Sequence, residues 1–444
     1  MNSATPNSPD YPSSSGANLK SEATSSPRIV IVGGGHAGAQ MCAGLHELGI
    51  AGATHLVCEE AVLPYHRPPL SKIFLKTEDA SAQAHRAPAW YETAGVQVHL
   101  ADPVERIDRT NKLTHLKSGL SLPYDYLVLA TGTRARALTN LPSGLSNVFS
   151  LRTLSDAQAL RTKLHQAERV MVLGGGFIGL EVAATAKALG KEVMVVEVAS
   201  RLMGRSVSAE LAEYVLATHL AAGIAIKLKA QLGQFYLGHT KDGSAHLEAV
   251  EVDGQREPVD LLLVGIGAEP EQALALRSDL ECSNGIVVDA NLRTNDPAIF
   301  AIGDCCSFAM PGGSRVRLES VQNANDQARA VARVIAAEGK GATGDSTVAP
   351  HSMAYQALPW FWSEQGSMRL QMAGLLPSDA TSYRRAGATD ASFSILHYRG
   401  ETLMCVESVN AAQDHLASRK LLEAGISPPP NAASDPAVTL KSFI

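Results

Sequence analysis

Arg28-Ile-Val-Ile-Val-Gly-Gly-Gly-His-Ala-Gly38 and Arg169-Val-Met-Val-Leu-Gly-Gly-Gly-Phe-Ile-Gly179 decide the fold of this chain. Each runs from an apolar stretch into G-x-G-x-x-G spacing, with Gly33, Gly35 and Gly38 in the first and Gly174, Gly176 and Gly179 in the second. The first glycine of such a fingerprint permits a tight strand-to-helix turn, and the second lets the backbone approach a pyrophosphate. The third allows helix and strand to pack closely. One match is weak on its own. Two, each followed about 20 residues later by an acid closing an apolar run, are strong. Glu59 follows His55-Leu-Val-Cys58, and Glu197 follows Val193-Met-Val-Val196. A carboxylate in that place can accept both hydroxyls of an adenosine ribose. Two dinucleotide sites on one chain point to a flavin and a nicotinamide arranged for hydride transfer.

Outward from these motifs, 444 residues are too many for one core, and roughly two to four domains are expected. The composition is globular, 45% apolar and 18% charged. A net charge of −6 gives no overall basic field for nucleic acid, yet leaves room for a local basic patch facing an acidic partner. The cysteines Cys42, Cys58, Cys282, Cys305, Cys306 and Cys405 form no C-x-x-C pair and no metal-ligand spacing. No metal centre is therefore expected, and the pattern fits reduced, buried thiols in a cytoplasm. Residues 1–27, rich in Ser, Pro, Ala, Thr and Asn, lack the apolar block of a signal peptide and read as a disordered tail. The most apolar stretch, from Val170, is interrupted by three glycines and Glu181, which argues against a membrane span.

The order strand, glycine turn, helix, strand, given twice, predicts an α/β protein with doubly wound parallel sheets. A helix is expected from about His36 to Leu48, and Tyr124–Thr133 reads as a buried strand. After Leu138 a rise in Pro, Ser, Gly and Asn suits a crossing between domains. Leu261–Pro270 reads as the closing strand of the second unit, and Thr294–Asp304 as a turn, a short strand and a terminal acid. A helix over Val321–Ala337 and a linker over Gly339–Thr347 precede a last module with β-branched and aromatic runs. The second dinucleotide domain is thus inserted into the first.

Three further segments carry a family resemblance. Pro64-Tyr-His-Arg-Pro-Pro-Leu-Ser-Lys72 resembles the P-Y-x-R-P-P-L-S-K segment of the NADH-dependent ferredoxin reductases. That family includes putidaredoxin reductase and the reductases of aromatic-ring dioxygenases, with apoptosis-inducing factor as a relative. Arg317-Leu-Glu-Ser-Val-Gln-Asn-Ala324 and Pro359-Trp-Phe-Trp-Ser-Glu-Gln365 are similar to two more signatures of the group. The resemblance covers about residues 28 to 444. It implies a glutathione-reductase-type fold with an FAD domain (28–152 and 269–342), an inserted NAD domain (153–268) and a C-terminal α+β domain (343–444). It further implies FAD on Gly33, Gly35, Gly38, Glu59, Arg67, Lys72, Val104, Arg152, Asp304 and Val321. NAD would lie on Gly174, Gly176, Ile178, Gly179, Glu197 and Gly267.

By the same resemblance Lys72 lies beside the isoalloxazine and pairs with an acid at Glu181, a pair that would orient the nicotinamide. Trp360 would line an exit for electrons. The implied partner is a [2Fe–2S] ferredoxin serving a cytochrome P450 or a Rieske oxygenase. Rubredoxin or a quinone-like acceptor is the alternative, as is a non-catalytic NADH sensor like apoptosis-inducing factor. Glu197 favours NADH, because a carboxylate repels the 2′-phosphate of NADP. Disulfide reductases of this fold need a thiol pair beside the flavin, and Leu63–Leu75 contains no Cys. His36, inside the first glycine loop, is expected to face phosphate or to be structural. Asp304 suits either a flavin contact or a helix N-cap. An acidic ferredoxin calls for a basic docking face, for which Arg315, Arg317, Arg384 and Arg385 are candidates by charge.

Overall fold

A computed structural model describes residues 26–204, 206–241, 243–310, 313–341 and 354–444. The expected tail and linker lie outside the described residues except at their inner ends. The first fingerprint forms β1 (Ile29–Val32), buried at all four positions, and passes through its glycines into α1 (His36–Glu47). β2 (Thr54–Val57), β3 (Val96–His99) and β4 (Tyr126–Leu129) follow. Next come β5 (Val148–Phe149), β6 (Arg169–Leu173), α2 (Phe177–Ala188), β7 (Glu192–Glu197), β8 (Ala225–Leu228) and β9 (Leu261–Val264). The chain returns with β10 (Ile299–Ala301) and α3 (Val321–Gly341). It ends with β11 (Trp360–Gln365), β12 (Met368–Gly374), β13 (Thr381–Ala386), β14 (Phe393–Arg399), β15 (Thr402–Val409) and α4 (Ala412–Glu423).

The first sheet has the order β10-β4-β1-β2-β3 and the second β8-β7-β6-β9-β5, both parallel throughout. Parallel sheets are covered on both faces, which is why their strands read as continuous apolar runs. Ile29, Val30, Ile31, Leu127, Val128 and Leu129 are all fully buried, each contributing about 1.5–3 kcal/mol of transfer free energy. In both sheets the fingerprint strand is central, so both glycine turns open at the carboxyl ends of the strands, where such sheets bind ligands.

The glycines divide the work as their positions predict. Gly33 (φ +120°) and Gly174 (φ +100°) occupy backbone that favours glycine, and a Cβ there would lie 2.2 Å from the Ala130 carbonyl oxygen and 2.4 Å from that of Gly265. A Cβ on Gly38 or Gly179 would strike the carbonyl of Gly33 or Gly174, at 2.0 and 2.5 Å. First and third glycines therefore let the turn and helix press onto the strands.

The crossing between units follows Leu138. β5 already pairs with β9, Val148 beside Leu262 and Phe149 beside Leu263. Leu138, Leu141 and Leu145 pack with Met171, Leu173 and Leu262. Val148–Phe149 thus joins the second sheet upstream of the boundary expected at 153. A two-residue strand in a Pro/Ser/Gly-rich stretch has no periodicity to reveal it. Thr133–Ala135 and Ala268–Pro270 pair antiparallel, zipping the outgoing and returning crossings together.

The last module is an antiparallel sheet of order β11-β12-β15-β14-β13. Its β11 faces the second unit, where Phe361 meets Phe177 edge-on with centroids 4.4 Å apart. Among the described residues no helix is long and apolar enough to cross a membrane.

Candidate active site

The two middle glycines differ from their neighbours. Gly35 (φ −88°) and Gly176 (φ −83°) have backbone any residue can adopt, and a Cβ on either would meet no protein atom within 4 Å. Both are helix N-caps without a side-chain capping bond. Among the described residues, none fills the space in front of Gly35 and Gly176, which lies at the positive end of each helix dipole, where the first N–H groups of α1 and α2 have no intrahelical partner. A bound pyrophosphate fits that cradle.

The two acids are placed differently. Glu197 accepts the N–H of Gly175 on Oε2 (2.6 Å) and that of Ala199 on Oε1 (2.7 Å). Each oxygen keeps a lone pair, so the carboxylate is held against the loop with capacity for two ribose hydroxyls. Glu59 is exposed beyond the end of β2. Its neighbour Glu60, not expected from the sequence, accepts from Arg67 (2.8 Å), the Tyr65 hydroxyl (2.7 Å) and the Leu154 N–H (3.2 Å). Arg67 also donates to the Arg152 carbonyl at 2.6 Å. The Arg152 guanidinium in turn donates to Asp304 (2.9 Å) and to the Thr133 carbonyl (2.9 Å). Arg67, Arg152 and Asp304 thereby form one chain of contacts near the first loop. Asp304 belongs to a short 3-10 turn, Gly303–Cys305, so the helix N-cap alternative does not hold.

Lys72 and Glu181 meet. The Lys72 ammonium lies 2.7 Å from Glu181 Oε2, with Glu181 only 4% exposed. The Ser71 hydroxyl donates to the same oxygen at 2.5 Å. Ser363 (2.7 Å) and the Glu364 N–H (3.4 Å) donate to Oε1. A buried carboxylate survives when it is paired and its lone pairs are filled, and here three parts of the chain do that: the segment before Lys72, α2 and β11. Ser71 and Ser363 were legible only as letters inside P-P-L-S-K and P-W-F-W-S-E-Q.

The other expected residues belong to different elements. Val104 is buried in a three-stranded antiparallel sheet (Val104–Asp108, Leu113–Leu116, Ser121–Pro123), and Val321 opens α3. Ile178 is 48% exposed beside Gly176. Gly267 (φ +105°) has open space where a Cβ would stand. The Trp360 backbone N–H donates to Gln322 Oε1 (3.1 Å), and its ring lies 5.7 Å from that of Trp362 and is capped by the Arg419 guanidinium at 4.2 Å. It lines a cavity of about 370 Å³ with Phe308, Met310 and Tyr355.

The four candidate arginines do not form a free basic face. Arg315 donates to the Ser307 and Val288 carbonyls, and Arg317 to Glu319 and the Asp304 carbonyl. Arg384 pairs with Glu210, and Arg385, 5% exposed, pairs with Asp414. Charge in the sequence did not reveal these partners, which include a surface pair at Arg384 and a buried one at Arg385. Cys305 and Cys306 are fully buried, and burial pushes both thiols up, which leaves no thiolate for disulfide exchange. His36 packs against His85 and His66, with ring centroids 4.5 and 5.9 Å away. Burial and these neighbours lower His36 to about 3 and His85 to about 4, so both imidazoles are neutral.

Residues 27–328 match the pyridine nucleotide-disulphide oxidoreductase family, and residues 360–444 the reductase C-terminal family. The chain belongs to the ferredoxin reductase branch of the first. Rhodocoxin reductase of Rhodococcus erythropolis is 39% identical over 94% of this chain and 94% of its own. Rubredoxin-NAD(+) reductase of Pseudomonas putida is 39% identical over 86% of this chain and 95% of its own. The crystal structure of the ferredoxin reductase for the CYP199A2 system of Rhodopseudomonas palustris superposes with a TM-score of 0.86 at 38% identity, covering 94% and 99% of the two chains. The chain is therefore an oxidoreductase with the two-dinucleotide flavoprotein fold. FAD and a nicotinamide coenzyme are the cofactors of its family.

Proposed function

We propose that this protein takes electrons from NADH through FAD and passes them to a small [2Fe–2S] ferredoxin, which supplies a cytochrome P450 or a Rieske oxygenase in the cytoplasm. The observation that carries this reading is the pair of glycine cradles, each open where a Cβ would project and each lined by uncapped helix N–H groups. Bound FAD supplies the ability to accept a hydride and release electrons singly. In this reading residues 28–147 and 269–342 hold FAD, and residues 148–268 hold NAD. Residues 354–444 cover the site.

Gly33, Gly35 and Gly38 cradle the FAD pyrophosphate, with Glu59 toward the ribose. Arg67, Val104, Arg152, Asp304 and Val321 complete that side. Gly174, Gly176, Ile178, Gly179 and Glu197 hold NADH, and Gly267 leaves room for the nicotinamide. Lys72, aligned by Glu181, positions the nicotinamide and places positive charge beside the reacting rings. Trp360 lines the exit toward the partner.

Anaerobic mixing with NADH should bleach the yellow flavin, and a [2Fe–2S] ferredoxin should then support turnover. The match to a rubredoxin reductase favours one second reading, in which rubredoxin is the acceptor. Turnover with rubredoxin but no ferredoxin would select it. Turnover with a quinone alone, or a long-lived reduced complex with no acceptor turnover, would overturn both.

A further inference from the structure

We propose that His36, His66 and His85 form a binding site for one late divalent transition ion, Zn²⁺ foremost, between the first glycine loop and the segment leading to Lys72. The backbone builds this cluster. Tyr65 and Ala84 form an antiparallel bridge, with His66 N–H donating to the Gln83 carbonyl (2.9 Å) and His85 N–H to the Pro64 carbonyl (2.8 Å). His66 and His85 are consequently diagonal neighbours on the face opposite Tyr65, and their ring centroids stand 4.0 Å apart. His36, the first residue of α1, closes the third corner. One ring nitrogen of each lies within 4.8 Å of the others. Three nitrogens on a tetrahedral Zn²⁺ stand about 3.4 Å apart, so rotamer shifts of roughly an ångström complete the site.

Two observations favour an ion over rings that merely pack. Nε2 of His36 and Nε2 of His85 are buried without a hydrogen-bond partner, an arrangement proteins seldom tolerate. The donor set is also all imidazole, which suits Zn²⁺, Ni²⁺, Cu²⁺ or Co²⁺ rather than Mg²⁺ or Ca²⁺. The nearby guanidiniums do not bar a dication, since Arg67 is paired with Glu60 (2.8 Å) and Arg152 with Asp304 (2.9 Å). Solvent takes the fourth position. The ion would tie the glycine loop to the strand pair flanking Lys72 and so stiffen the cofactor loop. The site stands on the three imidazoles and is independent of which acceptor the enzyme serves.

The test uses tag-free, flavin-loaded enzyme stripped with a chelator and dialysed against ZnCl₂ alone. One retained equivalent per chain is expected, with a rise in melting temperature that EDTA reverses. Co²⁺ should give d–d absorption of tetrahedral strength to the red of the flavin band. His85→Leu and His66→Leu, each checked for flavin content, should weaken retention about tenfold or more. His55→Ala, which opens the separate His55–His99 pair (3.0 Å), should leave it unchanged. No stoichiometric retention by the unaltered enzyme, or equal retention in both Leu variants, overturns the site.

Discussion

Replacing Lys72 by Met removes the cation from Glu181 while keeping an unbranched stem of similar length. Breaking a fully buried ion pair by deleting one partner costs 3–5 kcal/mol in general, about the upper bound here. Glu181 would still accept from Ser71, Ser363 and the Glu364 N–H, and Lys72 itself is 18% exposed. The loss should therefore fall to about 1.5–3 kcal/mol, the value of one charge-assisted hydrogen bond. If the ammonium were only a strut, destabilisation would be the whole effect. If it also contacts the reacting rings, the same 1.5–3 kcal/mol is lost from the barrier, slowing flavin reduction about 10- to 150-fold. Anaerobic stopped-flow at saturating NADH measures that step apart from acceptor turnover. Lys72→Met with Glu181→Gln separates the roles, because it removes the orphaned charge and should regain stability without regaining rate. Reduction by Lys72→Met within about twofold of the unaltered enzyme would refute the assignment.

Gly35→Ala and Gly176→Ala should both fold, since the added Cβ meets no protein atom. The first should lose flavin, read as the visible absorbance per chain, and the second should raise KM for NADH at least about tenfold. Gly33→Ala, 2.2 Å from the Ala130 carbonyl, should instead lower Tm by well over 5 °C. Glu197→Ala should cut kcat/KM for NADH and gain relative activity with NADPH; an unchanged ratio would exclude Glu197 from coenzyme choice. His415, 2% exposed with neither ring nitrogen partnered, is lowered to about 4 by burial and then by Arg419 and Arg369. Its unfolded form binds a proton below about pH 6.5, so stability is complete above that pH and falls as pH drops toward 4. Urea unfolding at pH 7 and pH 5 should differ by about 2 kcal/mol more in the unaltered enzyme than in His415→Leu.

What the sequence made legible follows from which interactions are local. Gly33-x-Gly35-x-x-Gly38 and its second copy fix a turn through steric rules that act over a few residues, and α1 begins at His36 as the spacing requires. Ile29–Val32 and Leu261–Val264 announced themselves because burial on both faces demands continuous apolar runs. Where pairing is long-range the letters said less. Val148–Phe149 joins the second sheet with two residues, and its partner β9 lies more than a hundred residues away. The pairing of Arg384 with Glu210 at the surface and of Arg385 with Asp414 inside was equally hidden, because charge alone does not say whether a guanidinium has a partner. The histidine cluster was hidden for the same reason: its members share no ligand spacing, and only the Tyr65–Ala84 bridge brings two of them together.

Glu181 shows why a local reading undervalues some residues. In sequence it interrupts an apolar helix face, a choice that ordinarily costs stability. In space it is the acceptor on which the Lys72 segment, α2 and β11 converge. A carboxylate so placed couples these three elements more strictly than a Leu would, since its donors must all arrive in register for its burial to be tolerated. Replacing both partners, Lys72→Met with Glu181→Leu, should therefore preserve thermal stability better than Lys72→Met alone while removing the ammonium from the junction. Such a variant, stable yet slow in flavin reduction, would separate the packing of this junction from its chemistry, and the Lys72–Glu181 pair would then owe its presence to positioning rather than to folding.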